Sequence, residues 1–249
     1  MDIPKTPPSP DPSPDPEALT PPEAAVAVAP GRLRRFVIAE RLYHWLYALF
    51  FLVAFVSGLL MWLPPTREWM AGARHAVSTY HGAIGFAMVA VPLLLFLILD
   101  RRRLARDVRE VDRWSWDDRR WFGLALRGYT LRGREMPPQG WLNAGQKFNV
   151  VLIAAMALGF AVTGGILMHR EDVPAWLVSR ALWLHGILAI LAIALFLGHL
   201  AHVVFTRHGR DYLRGMVGGT VPEELARARH RRWWEEETSQ EETGPEDRV

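Results

Sequence analysis

The sequence predicts an all-α protein, an integral membrane four-helix bundle. Four runs of about 20 residues, each near the length that crosses the hydrocarbon core of a bilayer, contain no Asp, Glu, Lys or Arg. Arginine is concentrated between the runs, which is typical of membrane proteins and unlike the even charge of a soluble chain. The runs span residues 43–63, 81–99, 148–168 and 182–205.

Composition excludes several kinds of site and partner. Hydrophobic residues make up 50% of the chain and charged residues 22%, which fits apolar spans that alternate with charged connections. The absence of cysteine excludes disulfides, thiolate zinc sites, cysteine-ligated iron–sulfur clusters and covalently attached haem of the c type. The net charge is +3, and the basic residues flank the apolar runs instead of forming one patch, so no nucleic-acid partner is expected.

The segments outside the runs divide the chain into three parts. Residues 1–30 are rich in Pro, Ala, Asp and Glu and show no apolar period, so we expect a disordered tail. This tail lacks the basic start and continuous apolar core of a secretory signal and should be retained. Residues 31–215 form the predicted four-helix membrane domain, and residues 216–249 form a cytoplasmic tail of basic and acidic residues.

The distribution of arginine predicts the orientation of the helices. Cytoplasmic connections carry an excess of Lys and Arg, and three segments do so here. Both termini and the 100–147 connection are therefore expected in the cytoplasm, with that Trp- and Arg-rich connection lying partly along the membrane surface. The arginines are Arg32, Arg34, Arg35 and Arg41, then Arg101, Arg102, Arg103, Arg106 and Arg109, then Arg207, Arg210 and Arg214.

Four of the nine histidines have a spacing that suits metal ligands. His185 and His199 are 14 residues apart, which places them within about 40° of one helix face and about 21 Å apart along the axis. The predicted orientation pairs His185 with His81 near the outer surface, and His199 with His44 near the inner surface. Haem is a flat disc with one axial ligand on each face, so the two pairs predict two haems between the helices.

Other interpretations of these histidines stay open. His202 lies about 100° around the helix from His185 and is a weaker alternative to His199. His169 fits an interfacial residue better than a ligand, and the four chosen histidines could instead link helices or carry protons. Nearby glycines suit either a porphyrin or close helix packing. The histidines expected at the surface are His75, His208 and His230, and the glycines are Gly58, Gly82, Gly85, Gly164, Gly165, Gly186 and Gly198.

Several short segments resemble one known family. The start of the first run, the start of the second, the segment before the third and the spacing of His185 and His199 are all similar to the cytochrome b (gamma) subunit of respiratory formate dehydrogenase. The resemblance covers roughly residues 31–235 and leaves out the Pro-rich tail. The segments are Arg41-Leu42-Tyr43-His44-Trp45 with Ser57-Gly58-Leu59, Tyr80-His81-Gly82-x-x-Gly85, Leu142-Asn143-Ala144-Gly145-Gln146-Lys147, Gly215-Met216 and Arg232-Trp233-Trp234.

The resemblance implies a function, two cofactors and a set of partners. It implies two haem b groups with the same ligand pairs, and a quinone site on the cytoplasmic side formed by Asn143, Gly145, Gln146 and His199. It implies that electrons come from a partner iron–sulfur subunit, pass inward and reduce a quinone (menaquinone or ubiquinone) in a respiratory chain. Substrate oxidation would occur on a catalytic molybdenum or tungsten subunit, and the chain would be a multi-pass protein of the bacterial cytoplasmic membrane.

The proposed quinone residues also have a physical argument. Asn143 and Gln146 can hydrogen-bond carbonyl oxygens, and Lys147, expected at the water interface, could relay or stabilise charge. A plain helix cap would explain Asn143 but is expected to leave Gly145 and Gln146 unexplained. Haem propionates, in turn, are expected near Arg41 at the inner end and Arg180 at the outer end.

Two further functions remain open on the sequence. One is the related cytochrome b of a membrane hydrogenase or of another molybdenum oxidoreductase, which would share the four-helix plan with paired histidines. The segment from Asn143 to Lys147 favours formate dehydrogenase over this alternative. The other is a haem-free membrane anchor or transporter, which a haem spectrum would distinguish.

Overall fold

The computed structural model describes residues 29–129 and 135–242, so most of the predicted N-terminal tail lies outside the described residues. The described part is helical apart from one small two-stranded sheet and the connections. Its elements are β1 Arg32–Arg34, α1 Ile38–Trp62, α2 Pro64–Trp69, α3 Arg74–Asp112, α4 Trp116–Leu126, α5 Ala144–Met168, α6 Ala175–Phe205, α7 Arg207–Gly218, β2 Thr220–Pro222, α8 Glu223–Arg229 and α9 Arg231–Glu242.

Four long helices confirm the predicted membrane helices. Helices α1, α3, α5 and α6 are each long and apolar enough to cross a membrane. Each begins a few residues before the corresponding apolar run, because helical structure continues through the polar residues at the ends of the spans. Helix α1 packs along α3, α3 along α5, and α5 along α6. The four helices therefore pack in the order α1, α3, α5, α6.

The predicted 100–147 connection is partly helical. Helix α3 bends at Asp100, where φ is −157° and ψ is 78°, and the Asp100 carboxylate accepts a hydrogen bond from the Arg103 N–H at 2.8 Å. This local cap lets the helix restart after the bend and continue to Asp112. Helix α4 follows, with Ser115 as its N-cap and a reciprocal bond to Asp118. The arginine-rich end of α3 is therefore helical and leads into α4.

The two ends of the described chain meet in one small folded unit. Strand β1 pairs antiparallel with β2, so that Leu33 lies opposite Val221. Helix α7 ends at Gly219, whose φ of 88° favours glycine, and this turn directs the chain into β2. We call β1, α7, β2, α8 and α9 the terminal cap, and the end of the bundle that carries it the capped end. Its buried core is Leu33, Val221, Leu225, Ala226 and Trp233.

Candidate haem centres

Two pairs of imidazole rings face each other across the bundle. The ring centroids of His81 on α3 and His185 on α6 lie 6.2 Å apart, and those of His44 on α1 and His199 on α6 lie 6.4 Å apart. A metal–imidazole bond is about 2.0 Å long and the ring adds about 1 Å to its centroid, so two axial imidazoles on one metal have centroids about 6 Å apart. Both pairs fit ligation of one metal between two rings.

The helices that carry each pair leave room between them. In the described part, α6 packs along α5 and α7 and has no comparable packing against α1 or α3. The imidazoles reach across this gap. A Cβ placed on Gly85, Gly186 or Gly198 would find no neighbour within 4 Å, so the backbone beside the pairs is open. Gly82 differs, because a Cβ there would lie 2.8 Å from the Met168 sulfur, which is close helix packing.

Phenylalanine rings lie between the levels of the two pairs. The Phe196 ring of α6 is 5.4 Å from the Phe51 ring and 6.4 Å from the Phe55 ring of α1, measured between centroids. Phe196 lies between His185 and His199 along α6. These ring contacts join α1 to α6 at a level between the two pairs.

One pair has hydroxyl partners that the sequence analysis did not assign. The Ser57 hydroxyl lies 3.0 Å from Nδ1 of His81, and the Thr163 hydroxyl lies 2.8 Å from Nδ1 of His185. Each hydroxyl also lies within 2.8 Å of a carbonyl oxygen four residues earlier in its own helix. The sequence signal that could have indicated these partners is the presence of Ser57 and Thr163 inside otherwise apolar runs.

The other histidines are placed elsewhere. The structure brings His199, and not His202, beside the His44 ring. His169 is the C-cap of α5, and its exposed side chain has Nδ1 3.6 Å from the Asp172 carboxylate. Within the described ranges, no group of three or more His, Asp or Glu side chains is arranged to hold a metal ion. Paired imidazoles with room between helices suit haem, whose porphyrin supplies the remaining ligands.

The segment before α5 is a complete capping box. The Asn143 side-chain oxygen accepts a hydrogen bond from the Gln146 N–H at 2.9 Å, and the Gln146 side-chain oxygen accepts one from the Asn143 N–H at 3.0 Å. A Cβ on Gly145 would lie 2.7 Å from the Trp121 ring of α4. The expectation that a cap explains only Asn143 is therefore wrong, because the cap includes Gln146 and Gly145 admits Trp121.

Lys147 is buried, so its expected place at the water interface is wrong. Only 1% of this residue is exposed. Its ammonium donates to the Arg113 carbonyl at 2.7 Å and lies 3.4 Å from the Asp118 carboxylate and 3.5 Å from the Glu110 carboxylate. Asp118 is fully buried as well. The lysine thus holds α5 to the end of α3 and the start of α4, because each partner lies on one of those segments.

Arg41 holds the terminal cap to the bundle. Its guanidinium donates to the carbonyls of Met216 and Val217 at the end of α7, and the Trp45 indole N–H also donates to Met216. These carbonyls belong to the last turn of α7, where a cation is favourable. Arg180 is exposed near the start of α6, at the opposite end of the bundle. Contact of either arginine with haem propionates stays a prediction.

His230 is fully buried, which makes its predicted surface position wrong. Its Nε2 lies 2.6 Å from the Tyr212 hydroxyl and 3.3 Å from the Arg35 guanidinium, and its Nδ1 lies 2.8 Å from the Gly140 carbonyl. Burial, followed by the charge of Arg35, holds the pKa of His230 well below its usual value. The neutral imidazole therefore donates from Nδ1 to Gly140 and accepts at Nε2.

The Arg35 guanidinium lies in a cage of aromatic rings. It is 4.8 Å from the Trp233 ring, 5.4 Å from the Trp141 ring and 5.6 Å from the Tyr212 ring, and it donates to the Trp141 carbonyl. Burial lowers its pKa to about 10. Ring faces attract a desolvated cation and partly replace its lost hydration. This cluster ties the chain before α1 to the terminal cap and to the segment before α5.

Comparison with known proteins identifies the family. The family model described as prokaryotic cytochrome b561 matches residues 35–219. The formate dehydrogenase cytochrome b556(fdo) subunit of Escherichia coli K12 is 26% identical over 209 residues, covering 81% of this chain and 92% of the relative. The nitrate-inducible cytochrome b556(Fdn) subunit of the same strain is 25% identical over 205 residues, covering 79% and 88%.

A third relative extends this similarity to another organism. The formate dehydrogenase cytochrome b556 subunit of Haemophilus influenzae is 23% identical over 216 residues, covering 83% of this chain and 84% of the relative. The resemblance found in the sequence segments is thereby confirmed, and membership implies haem b as the cofactor. The chain belongs to the prokaryotic cytochrome b561 family of membrane electron-transfer proteins.

Proposed function

We propose that this chain is the membrane electron-transfer subunit of a formate dehydrogenase. It would hold two b haems, one between His81 and His185 and one between His44 and His199. The observation that carries the proposal is the pair of imidazole separations, 6.2 and 6.4 Å, at opposite ends of the same four helices. When bound, the haems supply one-electron redox centres at two depths of the membrane.

The protein residues bind and separate the two centres. The ligands on α6 are 14 residues apart, or about 21 Å along a helix, which spans most of the hydrocarbon core. Packing of α1 on α3 and of α5 on α6 fixes the helices that face the gap. The Phe51, Phe55 and Phe196 rings pack between the two levels.

We propose that the electron donor is a different chain. No cysteine is present to ligate an iron–sulfur cluster, so we propose a partner iron–sulfur subunit beside the His81–His185 end, and a catalytic molybdenum or tungsten subunit beyond it. The arginine distribution favours the cytoplasm for the capped end. The chain would therefore carry electrons inward across a bacterial cytoplasmic membrane. Formate as the source is supported by the names of the curated relatives.

Quinone would bind at the capped end, beside His199 and the start of α5. In the capping box, the side-chain oxygens of Asn143 and Gln146 face backbone N–H groups. Each side chain keeps its NH₂ group as a donor, and a quinone carbonyl needs such donors. The box thus orients two donors, with Gly145 between them. His199 lies at the same end of the bundle as the start of α5 and would complete this proposed site.

A substrate comparison in native membranes tests the proposed donor. Formate should reduce the b haems, giving the reduced-minus-oxidised absorption of haem b. Hydrogen should not reduce them. Reduction by hydrogen alone would assign the chain to a membrane hydrogenase instead, and reduction by neither would point to another oxidoreductase.

A single substitution tests the quinone site without removing the helix cap. Asn143→Asp keeps an oxygen that accepts the Gln146 N–H but lacks the NH₂ donor. Haem reduction by formate should be unchanged, while the KM for quinone should rise about two- to tenfold for one lost hydrogen bond. Asn143→Ser, which also caps helices and carries a hydroxyl donor, is the matched control. An unchanged KM in Asn143→Asp would contradict this role.

A further inference from the structure

We infer that Thr163 and Ser57 are positioning residues that fix the ring tautomers of His185 and His81, so that Nε2 of each ring is presented to the haem iron. The inference rests on the proposed function, in which this pair holds one haem. It concerns only the pair at the end opposite the terminal cap. Each hydroxyl has a single proton, and its position decides which ring nitrogen is protonated.

Thr163 gives the clearer case. Its hydroxyl oxygen lies 2.7 Å from the Gly159 carbonyl oxygen and 2.8 Å from Nδ1 of His185. A carbonyl oxygen only accepts, so the hydroxyl proton goes to Gly159. The hydroxyl oxygen then accepts from Nδ1–H, and the lone pair of the neutral imidazole is on Nε2. Thr163 is 2% exposed, so no water competes for this bond.

Ser57 makes the same arrangement for the other ring. Its hydroxyl lies 2.8 Å from the Val53 carbonyl and 3.0 Å from the Ala54 carbonyl, and 3.0 Å from Nδ1 of His81. The hydroxyl proton goes to one of these carbonyl oxygens, because a carbonyl oxygen only accepts. The hydroxyl oxygen then accepts from Nδ1–H of His81, which again leaves Nε2 as the free nitrogen. Ser57 is less buried than Thr163, so it is the less critical of the two hydroxyls.

The pair at the capped end is built differently. In the part of the chain that the structure describes, neither His44 nor His199 has a hydrogen-bond partner for its ring, and Trp45 meets His44 edge to face. A hydrogen bond from the second ring nitrogen makes a ligand more basic and fixes its orientation. A more basic ligand favours the oxidised metal. The hydroxyls therefore lower the potential of the His81–His185 centre and leave the His44–His199 centre unaffected.

The experiment compares haem content and redox titrations of the full chain in detergent, for wild type and for Thr163→Val, which keeps the shape of threonine without its hydroxyl. One of the two haem components should titrate at a higher potential. The expected shift is about tenfold in its reduction equilibrium, or about 59 mV for one electron. The affinity for that haem should fall about 10- to 100-fold. Thr163→Ser should restore both values, and Ser57→Ala should give a smaller change.

A matched control separates this role from helix stability. The Thr79 hydroxyl donates to the His75 backbone carbonyl four residues earlier in α3 and has no hydrogen bond to the ring of His81 or His185, so Thr79→Val should change neither haem. The second haem in the same chain reports correct folding. Unchanged potentials and haem content in Thr163→Val would overturn the inference, as would failure of Thr163→Ser to restore the haem. Wild-type protein without two haems would instead refute the proposed function.

Discussion

Removal of the Lys147 ammonium should destabilise the protein strongly, because it leaves buried carboxylates without their cation. Lys147→Met keeps most of the side-chain volume. The Asp118 carboxylate would retain the Ser115 N–H at 2.7 Å, but its Oδ1 has no hydrogen-bond partner. Loss of one member of a buried ion pair costs about 3–5 kcal/mol. For a chain of this length that corresponds to a fall in Tm of roughly 6–20 °C.

A second substitution distinguishes buried charge from lost packing. Asp118→Asn in the Lys147→Met background removes the uncompensated charge and keeps a side chain that can cap α4. The double variant should therefore be more stable than Lys147→Met alone, since replacing both ions is far less costly than removing one. The assay is thermal unfolding of the full chain in detergent, followed by circular dichroism and by the haem spectrum.

The outcome also separates two roles for Lys147. A variant within about 1 kcal/mol of wild type would refute the structural account, because an exposed ion pair contributes no more than that. If Lys147→Met were stable but slowed quinone reduction, the lysine would act at the quinone, as its sequence context first suggested. No rescue by Asp118→Asn would show that the loss comes from packing and not from charge.

The remaining predictions concern the terminal cap and the start of α5. The depressed pKa of His230 means that the unfolded state binds more protons below about pH 6.5, so the cap should lose up to about 1.4 kcal/mol for each pH unit below that value. Limited proteolysis after β2 should detect this opening, and His230→Asn should abolish its pH dependence. Gly145→Ala should cost about 1–3 kcal/mol by overlap with Trp121, and Trp121→Ala should relieve that overlap, as measured by Tm. Gly219→Ala should cost about 1–2 kcal/mol, because φ there is 88°; an unchanged Tm would contradict this.

The membrane helices and the placement of the four histidines could be predicted because both depend on simple periodic rules. A run without charge predicts a span, and alternating direction places residues at one end or the other. His44 and His199 come from the first and last spans, 155 positions apart in sequence, yet topology alone brings them to one end. The ring separations agree with this placement, while ligation itself stays a prediction.

The polar contacts at the capped end could not be predicted in the same way. Lys147 and His230 are polar residues close to the ends of spans or beyond them, and surface positions are the ordinary expectation for such residues. Their burial depends on Asp118 and Arg35, which lie far away in sequence. No local sequence pattern indicates which distant residues will form such buried polar pairs. The capping box, in contrast, could have been predicted from the sequence, because Asn143 and Gln146 have the three-residue spacing at which such side chains bond each other's backbone N–H.

The haem b content of the purified full chain tests the central claim most directly. We expect two haems per chain in the wild type and one in either His81→Ala or His44→Ala, measured as the pyridine haemochrome against protein concentration. The two variants should lose different components of the reduced-minus-oxidised spectrum, because the pairs are separate sites. Far fewer than two haems in the wild type, or retention of both haems after either substitution, would contradict the account.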